Sequence, residues 1–289
     1  MAIYGCIMTD RTDAASAGWF SELDHGDLEA ARVAIMKGRA EEPRDWPQLA
    51  VEAGYADFEG EYYDRLHEAT THTARQEIRE RERADDQQLT HSVRAMDDCE
   101  RVANELTERL VEWAASRRED AGTGIAYARS LAEENGEGGD ARLVSLARRI
   151  RDLDDEAASL RAHVERTAPE VAPNLSALAG PVLAARLIAL AGGLETLARK
   201  PAGTIQVLGA EEALFAHLRG HAPSPKHGVI FVHEAIQGTA PEHRGSAARA
   251  LSGKLAIAAR VDHYSGERKP QLDTEFRERI ERIRERELE

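Results

Sequence analysis

Between Asp140 and Pro169 apolar residues recur at Leu143, Leu146, Ile150, Leu153, Ala157, Leu160 and Val164, in alternating steps of three and four. An α-helix turns once in about 3.6 residues, so this spacing keeps all of them on one narrow stripe. A globular helix usually buries a wider face. The stripe therefore predicts a coiled-coil helix, roughly 40 Å long at about 1.5 Å per residue. Asp140 stands where an N-cap belongs, and Pro169 where the helix should stop. Such a seam needs a partner of similar length. Two are available: the helix before it and a second copy of the chain. Asp85–Arg118 predicts that earlier helix, with Leu89, Val93, Met96, Val102, Leu106, Leu110 and Trp113 mostly at three- and four-residue steps.

The rest of the chain reads as mainly α. Met1–Met8 is a short candidate strand. Gly18-Trp19-Phe20 is an apolar anchor, and Asp27–Lys37 a short helix. Together with the tyrosine- and glutamate-rich 54–63 these predict a small N-terminal α/β domain. Asp64 to Arg83 is a charged helix. Ile125–Glu134 is a shorter helix, followed by Asn135-Gly136-Glu137-Gly138-Gly139. That glycine cluster follows no apolar strand and matches no phosphate-binding fingerprint, so it reads as a connector. Val171–Ser176 is a linker. Leu178–Ala198 is apolar on most sides, with a break at Gly192-Gly193. Ala210–Arg219 is a helix, Val229–Val232 a short β-prone run, and Arg244–Val261 an alanine-rich helix. Asp273–Glu289 alternates Arg and Glu, which predicts a solvated helix.

Charge is unevenly placed. The chain carries a formal net charge of −14, whereas nucleic-acid binders are expected to be basic. Residues 173–265 nevertheless hold a net +3, and residues 1–172 hold −16. Lysine is scarce: only Lys37, Lys200, Lys226, Lys254 and Lys269 occur. An acid-rich, lysine-poor, alanine-rich chain looks adapted to concentrated salt. There the Debye length is about 3 Å and counterion release contributes little. Cys6 and Cys99 are far apart and form no metal or disulfide spacing, which fits a reducing, cytoplasmic setting. No signal peptide is read, and no apolar run reaches the roughly 18 residues of a membrane span.

The chemistry concentrates in the stretch from Thr204 to His233. A loop there holds Pro223, Pro225, Lys226, His227 and Gly228. It offers a cation, a flat imidazole and a flexible glycine. That set suits a phosphate contact beside a stacked, unpaired base. It also reads as a plain proline-rich connector. His217, His221, His227, His233, His243 and His263 crowd the same region but show no metalloprotease or zinc-finger spacing. No nucleophile elbow, Walker A motif or kinase signature occurs. The residues therefore predict no catalytic site, no bound metal and no cofactor.

Three segments carry a family resemblance. They are GPVLAARLIALAGGLETLARKPAGTIQVLGAEEALFAHLRG, then PKHGVIFVH, then RGSAARALSGKLAIAARVDHYSGE. Over about 90 residues they resemble the Nop domain, most closely that of the archaeal scaffold proteins of box C/D guide-RNA particles. QLTHSVRAMDDCERVANELTERLVEW, from Gln88 to Trp113, resembles the family's first coiled-coil helix. The resemblance implies four parts. Residues 1–82 would dock fibrillarin, 83–172 would form an antiparallel coiled-coil hairpin, 173–265 an all-α Nop domain, and 266–289 a charged tail.

It also implies a homodimer, with the seam Leu143, Leu146, Ile150, Leu153, Leu160 and Val164 facing the second copy. The implied partners are a box C/D guide RNA, a kink-turn-binding protein of ribosomal-protein type, and fibrillarin. Fibrillarin would bring S-adenosylmethionine and perform RNA 2′-O-methylation. Position by position, the RNA contacts would fall on Gly209, Ala210, Glu211, Lys226, His227, Arg244, Arg249, Lys254 and Arg260. His227 would stack on a flipped base. Two positions depart from the pattern: Glu212 stands where a lysine is expected, and Ala216 where a base is common. Arg260 also reads as a buried structural partner of Asp262, and Lys254 as simply solvated. Three other readings stay open. They are a splicing-type Nop protein, a coiled-coil adaptor without RNA binding, and an enzyme built on the histidine cluster.

Overall fold

The computed structural model describes residues 18–21, 23–24, 26–38, 42–135 and 140–285. Met1–Met8, Cys6 and the glycine cluster 136–139 lie outside them. Every regular element among the described residues is helical, and no strand occurs there. The chain divides into two compact units, residues 1–83 and 84–289.

In the first unit three helices follow one another: α1 (Leu28–Lys37), α2 (Trp46–Glu52) and α3 (Glu59–Arg83). Asp27 and Asp45 start the first two as N-caps, each accepting a backbone N–H three residues on. Phe20, Ala50, Ala56 and Tyr62 are buried, with Trp19, Trp46 and Tyr55 packed around them. These aromatics are core, as one expects of large rings in a small unit. Arg32 of α1 is clamped by Glu77 and Glu80 of α3 at 2.8 and 2.7 Å, which fixes the two helices against each other.

The second unit begins with α4 (Asp85–Ala115), α5 (Gly124–Ala132) and α6 (Ala141–Val171). Arg118, just past α4, holds Asp140 at the start of α6 at 2.8 Å, and Arg161 of α6 reaches Glu100 of α4. The two long helices therefore run antiparallel. Leu143 and Ile150 are fully buried against Leu110, Ala128 and Leu131, and Val164 against the residues around Leu89, Val93 and Met96. This corrects the seam as a face for a second copy. Leu143, Ile150 and Val164 are already enclosed by their own chain, because α4 and the short α5 roof the stripe. Leu146, Leu153 and Leu160 are half-buried.

Two helix ends also differ from expectation. Asp140 makes no side-chain cap bond, since its carboxylate is taken by Arg118 and Arg117. Helix α6 runs through Pro169 to Val171. A proline in the last turn removes one N–H but leaves room for two more helical residues. The stop is set by Pro173 and by Asp262, which accepts the backbone N–H groups of Asn174 and Leu175.

The remainder folds onto the base of that hairpin. It comprises α7 (Pro173–Ala179), α8 (Pro181–Ala191), α9 (Leu194–Arg199), α10 (Ala202–Val207), α11 (Glu211–Leu218), a 3-10 turn (Val229–Val232), α12 (Glu234–Gln237), α13 (Arg244–Tyr264) and α14 (Gln271–Glu285). The expected single helix across 178–198 is three. The chain breaks at Gly192-Gly193 as read, and also at Gly180-Pro181. There Gly180 takes φ +80° and the axis bends by 117°. The predicted linker 171–176 is mostly the start of α7. No single described helix is long and apolar enough to cross a membrane. Helix α14 is not solvated all round: Phe276, Ile280 and Ile283 are buried against the common core. Three apolar residues at steps of four and three are enough to dock a helix whose other positions are charged.

Candidate nucleic-acid interface

The loop before Val229 is pinned from beneath. Gly228 donates its N–H to the Gln206 carbonyl at 2.8 Å, and Val229 donates to Leu208 at 2.8 Å. Gln206 Nε2 also donates to the Lys226 carbonyl at 2.7 Å. A Cβ on Gly228 would stand 2.1 Å from the Leu208 oxygen. Only glycine allows this approach. The expected strand over 229–232 is instead a 3-10 turn, because its backbone bonds go to α10 and to itself rather than to another extended segment.

On this support sit two rings. His227 stacks on Phe231 with centroids 4.4 Å apart and planes inclined by 18°. Arg244, the first residue of α13, places its guanidinium carbon 5.6 Å from the Phe231 centroid and donates Nε–H to the Thr239 carbonyl at 3.1 Å. Burial, then the Arg244 charge, then that of Lys226 push the His227 pKa below its ordinary value. Burial and these cations thus favour the uncharged imidazole, a flat ring rather than a cation. Lys226 is exposed, and among the described residues its ammonium has no ion-pair partner. Its aliphatic stem lies beside Gly245 of α13. Lys226, His227 and Arg244 are therefore one cluster.

The other candidates separate. Gly209 fills the space under Val229 and Leu190, which a Cβ there would meet at 3.3 and 3.4 Å. The small residue admits the chain's own side chains. Glu211 accepts the Gly209 N–H at 2.9 Å, closing its own turn, and Ala210 is the residue before α11. Glu212 is exposed, and so are Phe215 and Leu218 on the same helix, which has no buried residue. Arg249 is exposed, with no ion-pair partner among the described residues. It lies five residues after Arg244, about 140° further round the helix. Lys254 is ion-paired with Glu275 of α14. Arg260 donates to the carbonyls of Ala198 and Lys200 at 3.1 and 3.4 Å, closing the C-terminus of α9. It stands about 24 Å along α13 from Arg244. Its expected partner Asp262 belongs to Asn174 and Leu175.

The histidines do not converge. His217 faces the Ala222 carbonyl, and His233 bonds Leu178 O and the Ala235 N–H. Among the described residues no group of three or more His, Cys, Asp or Glu could hold a metal ion. Phe231 is the residue that the sequence reading missed. The sequence reading saw only a β-prone run there, and the 3-10 turn brings Phe231 under His227, four residues away.

A family profile described as "Nop: snoRNA binding domain, fibrillarin" matches residues 125–285, more than half the chain. The chain belongs to the Nop family. An uncharacterised NOP5 family protein of Methanocaldococcus jannaschii is 34% identical over 275 residues, covering 82% of this chain and 66% of that one. Nucleolar protein 56 of Homo sapiens is 39% identical over 137 residues, covering 47% of this chain and 23% of that one. A chain in the crystal structure of a fibrillarin/Nop5p complex is 25% identical with a TM-score of 0.54, covering 93% of this chain and 99% of that one. The chain thus spans just under two thirds of its archaeal Nop relative and about a quarter of the nucleolar one. The His227–Phe231 cluster lies inside the matched Nop region.

Proposed function

We propose that this Nop protein is a non-catalytic scaffold of a box C/D guide-RNA particle. Residues 173–265 would hold the guide RNA together with its kink-turn-binding protein. Residues 1–82 would dock fibrillarin, which performs 2′-O-methylation with its own S-adenosylmethionine. Residues 83–172, an antiparallel coiled-coil hairpin, would bring two copies together. The tail 266–289 would brace the Nop region through α14. The likeness to a chain of the fibrillarin/Nop5p complex over 93% of this chain supports the fibrillarin part. For RNA, the observation that carries the reading is the Lys226–His227–Arg244 cluster, where a cation and a neutral stacked ring stand together at the surface.

The proposed contacts are narrower than the full set of family positions. Lys226, His227 and Arg249 remain the side chains free to meet RNA, and Arg244 joins them through Phe231. Gly209 and Ala210 shape the neighbouring turn. Glu211, Lys254 and Arg260 serve the chain's own fold. For the dimer, the half-buried Leu153 is the seam residue left to a second copy, since Leu146 and Leu160 already pack on the chain's own core. A cytoplasmic setting belongs to the same proposal. Mobility shift with a kink-turn RNA, with and without its binding protein, tests the reading. A supershift only when both are present is expected. No shift in either case would leave a coiled-coil adaptor.

A further inference from the structure

We propose that Phe231 is the positioning residue of the RNA interface: it carries His227 as the outer layer of a two-ring stack on which one unpaired nucleobase docks, with Arg244 securing Phe231 from α13. This rests on the RNA reading above and adds the part that makes the histidine competent. A lone imidazole on a proline-flanked loop would rotate, and a base stacking on it would have to order both partners. Here the ring is already ordered. One layer is the 4.4 Å, near-parallel contact with Phe231. The loop backbone below is fixed by Gln206, and Gly228 allows that approach. Phe231 is itself held, being only partly exposed and packed on the main core, with the Arg244 guanidinium over its ring. The guanidinium is oriented by the carbonyl of Thr239, a buried residue just past α12.

The stack has a chemical consequence. The charges that act on His227 are Arg244 from α13 and Lys226 from its own loop, both cations. Together with burial they favour the uncharged ring. The occupant that fits is a flat, polarisable heterocycle continuing the stack, and stacking is tolerant of which base it is. A phosphate is then left to Lys226 at the rim. Stacking of this kind also survives salt that screens phosphate contacts, which suits a chain carrying −14 overall.

The experiment uses the full chain and a kink-turn RNA, bound by its kink-turn protein, with 2-aminopurine at each unpaired position in turn. Four proteins are compared: wild type, His227→Ala, Phe231→Leu and Phe231→Tyr. NMR titration of the His227 ring protons is followed in the free proteins, with Arg244→Gln added. Phe231→Leu is expected to weaken the complex about fivefold or more and to restore 2-aminopurine fluorescence at one position. Phe231→Tyr, which keeps the ring, should retain affinity and quenching. The His227 pKa should rise in Arg244→Gln. Wild-type binding by His227→Ala would remove the RNA reading of this loop and the inference with it. A weakened His227→Ala beside an unaffected Phe231→Leu would overturn the inference alone. Equal loss in Phe231→Leu and Phe231→Tyr would mean that packing, not the aromatic face, is at stake, and would overturn it too.

Discussion

Asp262 accepts the backbone N–H of Asn174 at 3.0 Å and that of Leu175 at 2.8 Å, joining the end of α13 to the start of α7 across 88 residues of sequence. The same carboxylate accepts Asn174 Nδ2–H, and Asn174 Oδ1 in turn takes the Lys269 N–H. The bonds to the Asp262 carboxylate are buried: Asp262 is 7% exposed and Asn174 is fully enclosed. One side chain thus serves as the cap of α7 and as the clasp between the hairpin base and the C-terminal helices.

Asp262→Ala leaves two backbone donors without a partner in a dry site. Charge-assisted bonds of this kind contribute about 1.5–3 kcal/mol each at most. The variant should lose about 2–4 kcal/mol overall, read as a lower urea midpoint, with Asp262→Asn intermediate. An unchanged midpoint would show that water replaces the carboxylate.

The buried and half-buried seam positions should behave differently. Ile150 is fully enclosed by α4 and α5, so a charge there is unpaired and dry. Ile150→Asp should cost more than about 4 kcal/mol and unfold the hairpin end. Leu153 is half-buried. If two copies meet along this helix, Leu153→Asp should give a folded monomer by light scattering and circular dichroism. A wild-type chain that is monomeric at micromolar concentration would remove the dimer.

Salt should separate the loop residues. His227→Ala is expected to weaken the ternary complex with kink-turn RNA and its protein at both low and high salt. Lys226→Ala should matter mainly at low salt, where phosphate attraction is unscreened. Arg260→Ala should lower thermal stability by about 1 kcal/mol and leave RNA affinity unchanged, because its guanidinium closes α9. Binding curves over a salt series and a thermal melt read all three.

Acid should loosen the distal end of the hairpin. Arg118 bridges Glu134 and Asp140 at 2.9 and 2.8 Å and holds both carboxyls below their ordinary pKa. A carboxyl with a lowered folded pKa stabilises above its unfolded value and loses that contribution as pH falls through the folded one. Stability should therefore drop below about pH 4, and Arg118→Ala should flatten that drop. Urea midpoints from pH 6 to pH 3 check it.

Residues 1–83 form their own compact unit. Deleting them should abolish fibrillarin association in a pull-down and leave the RNA supershift intact. Fibrillarin retained by the truncated chain would place the dock elsewhere.

By itself the sequence determined what depends on local spacing. The three-and-four stripe announced a long helix with a partner, the break at Gly192-Gly193 was legible, and the PKHG loop set Lys226 and His227 side by side. These signals need only neighbours along the chain. The tertiary structure decided whatever depends on distant partners. It assigned the stripe to α4 and α5 of the same chain. It gave Asp262 to Asn174 rather than to Arg260, and gave Lys254 to Glu275. It also turned Val229–Val232 into a 3-10 turn that sets Phe231 beneath His227. A side chain's spacing fixes which face it lies on. Which residue meets it there depends on how elements far apart in sequence pack, and charge pairs and ring stacks follow from that packing.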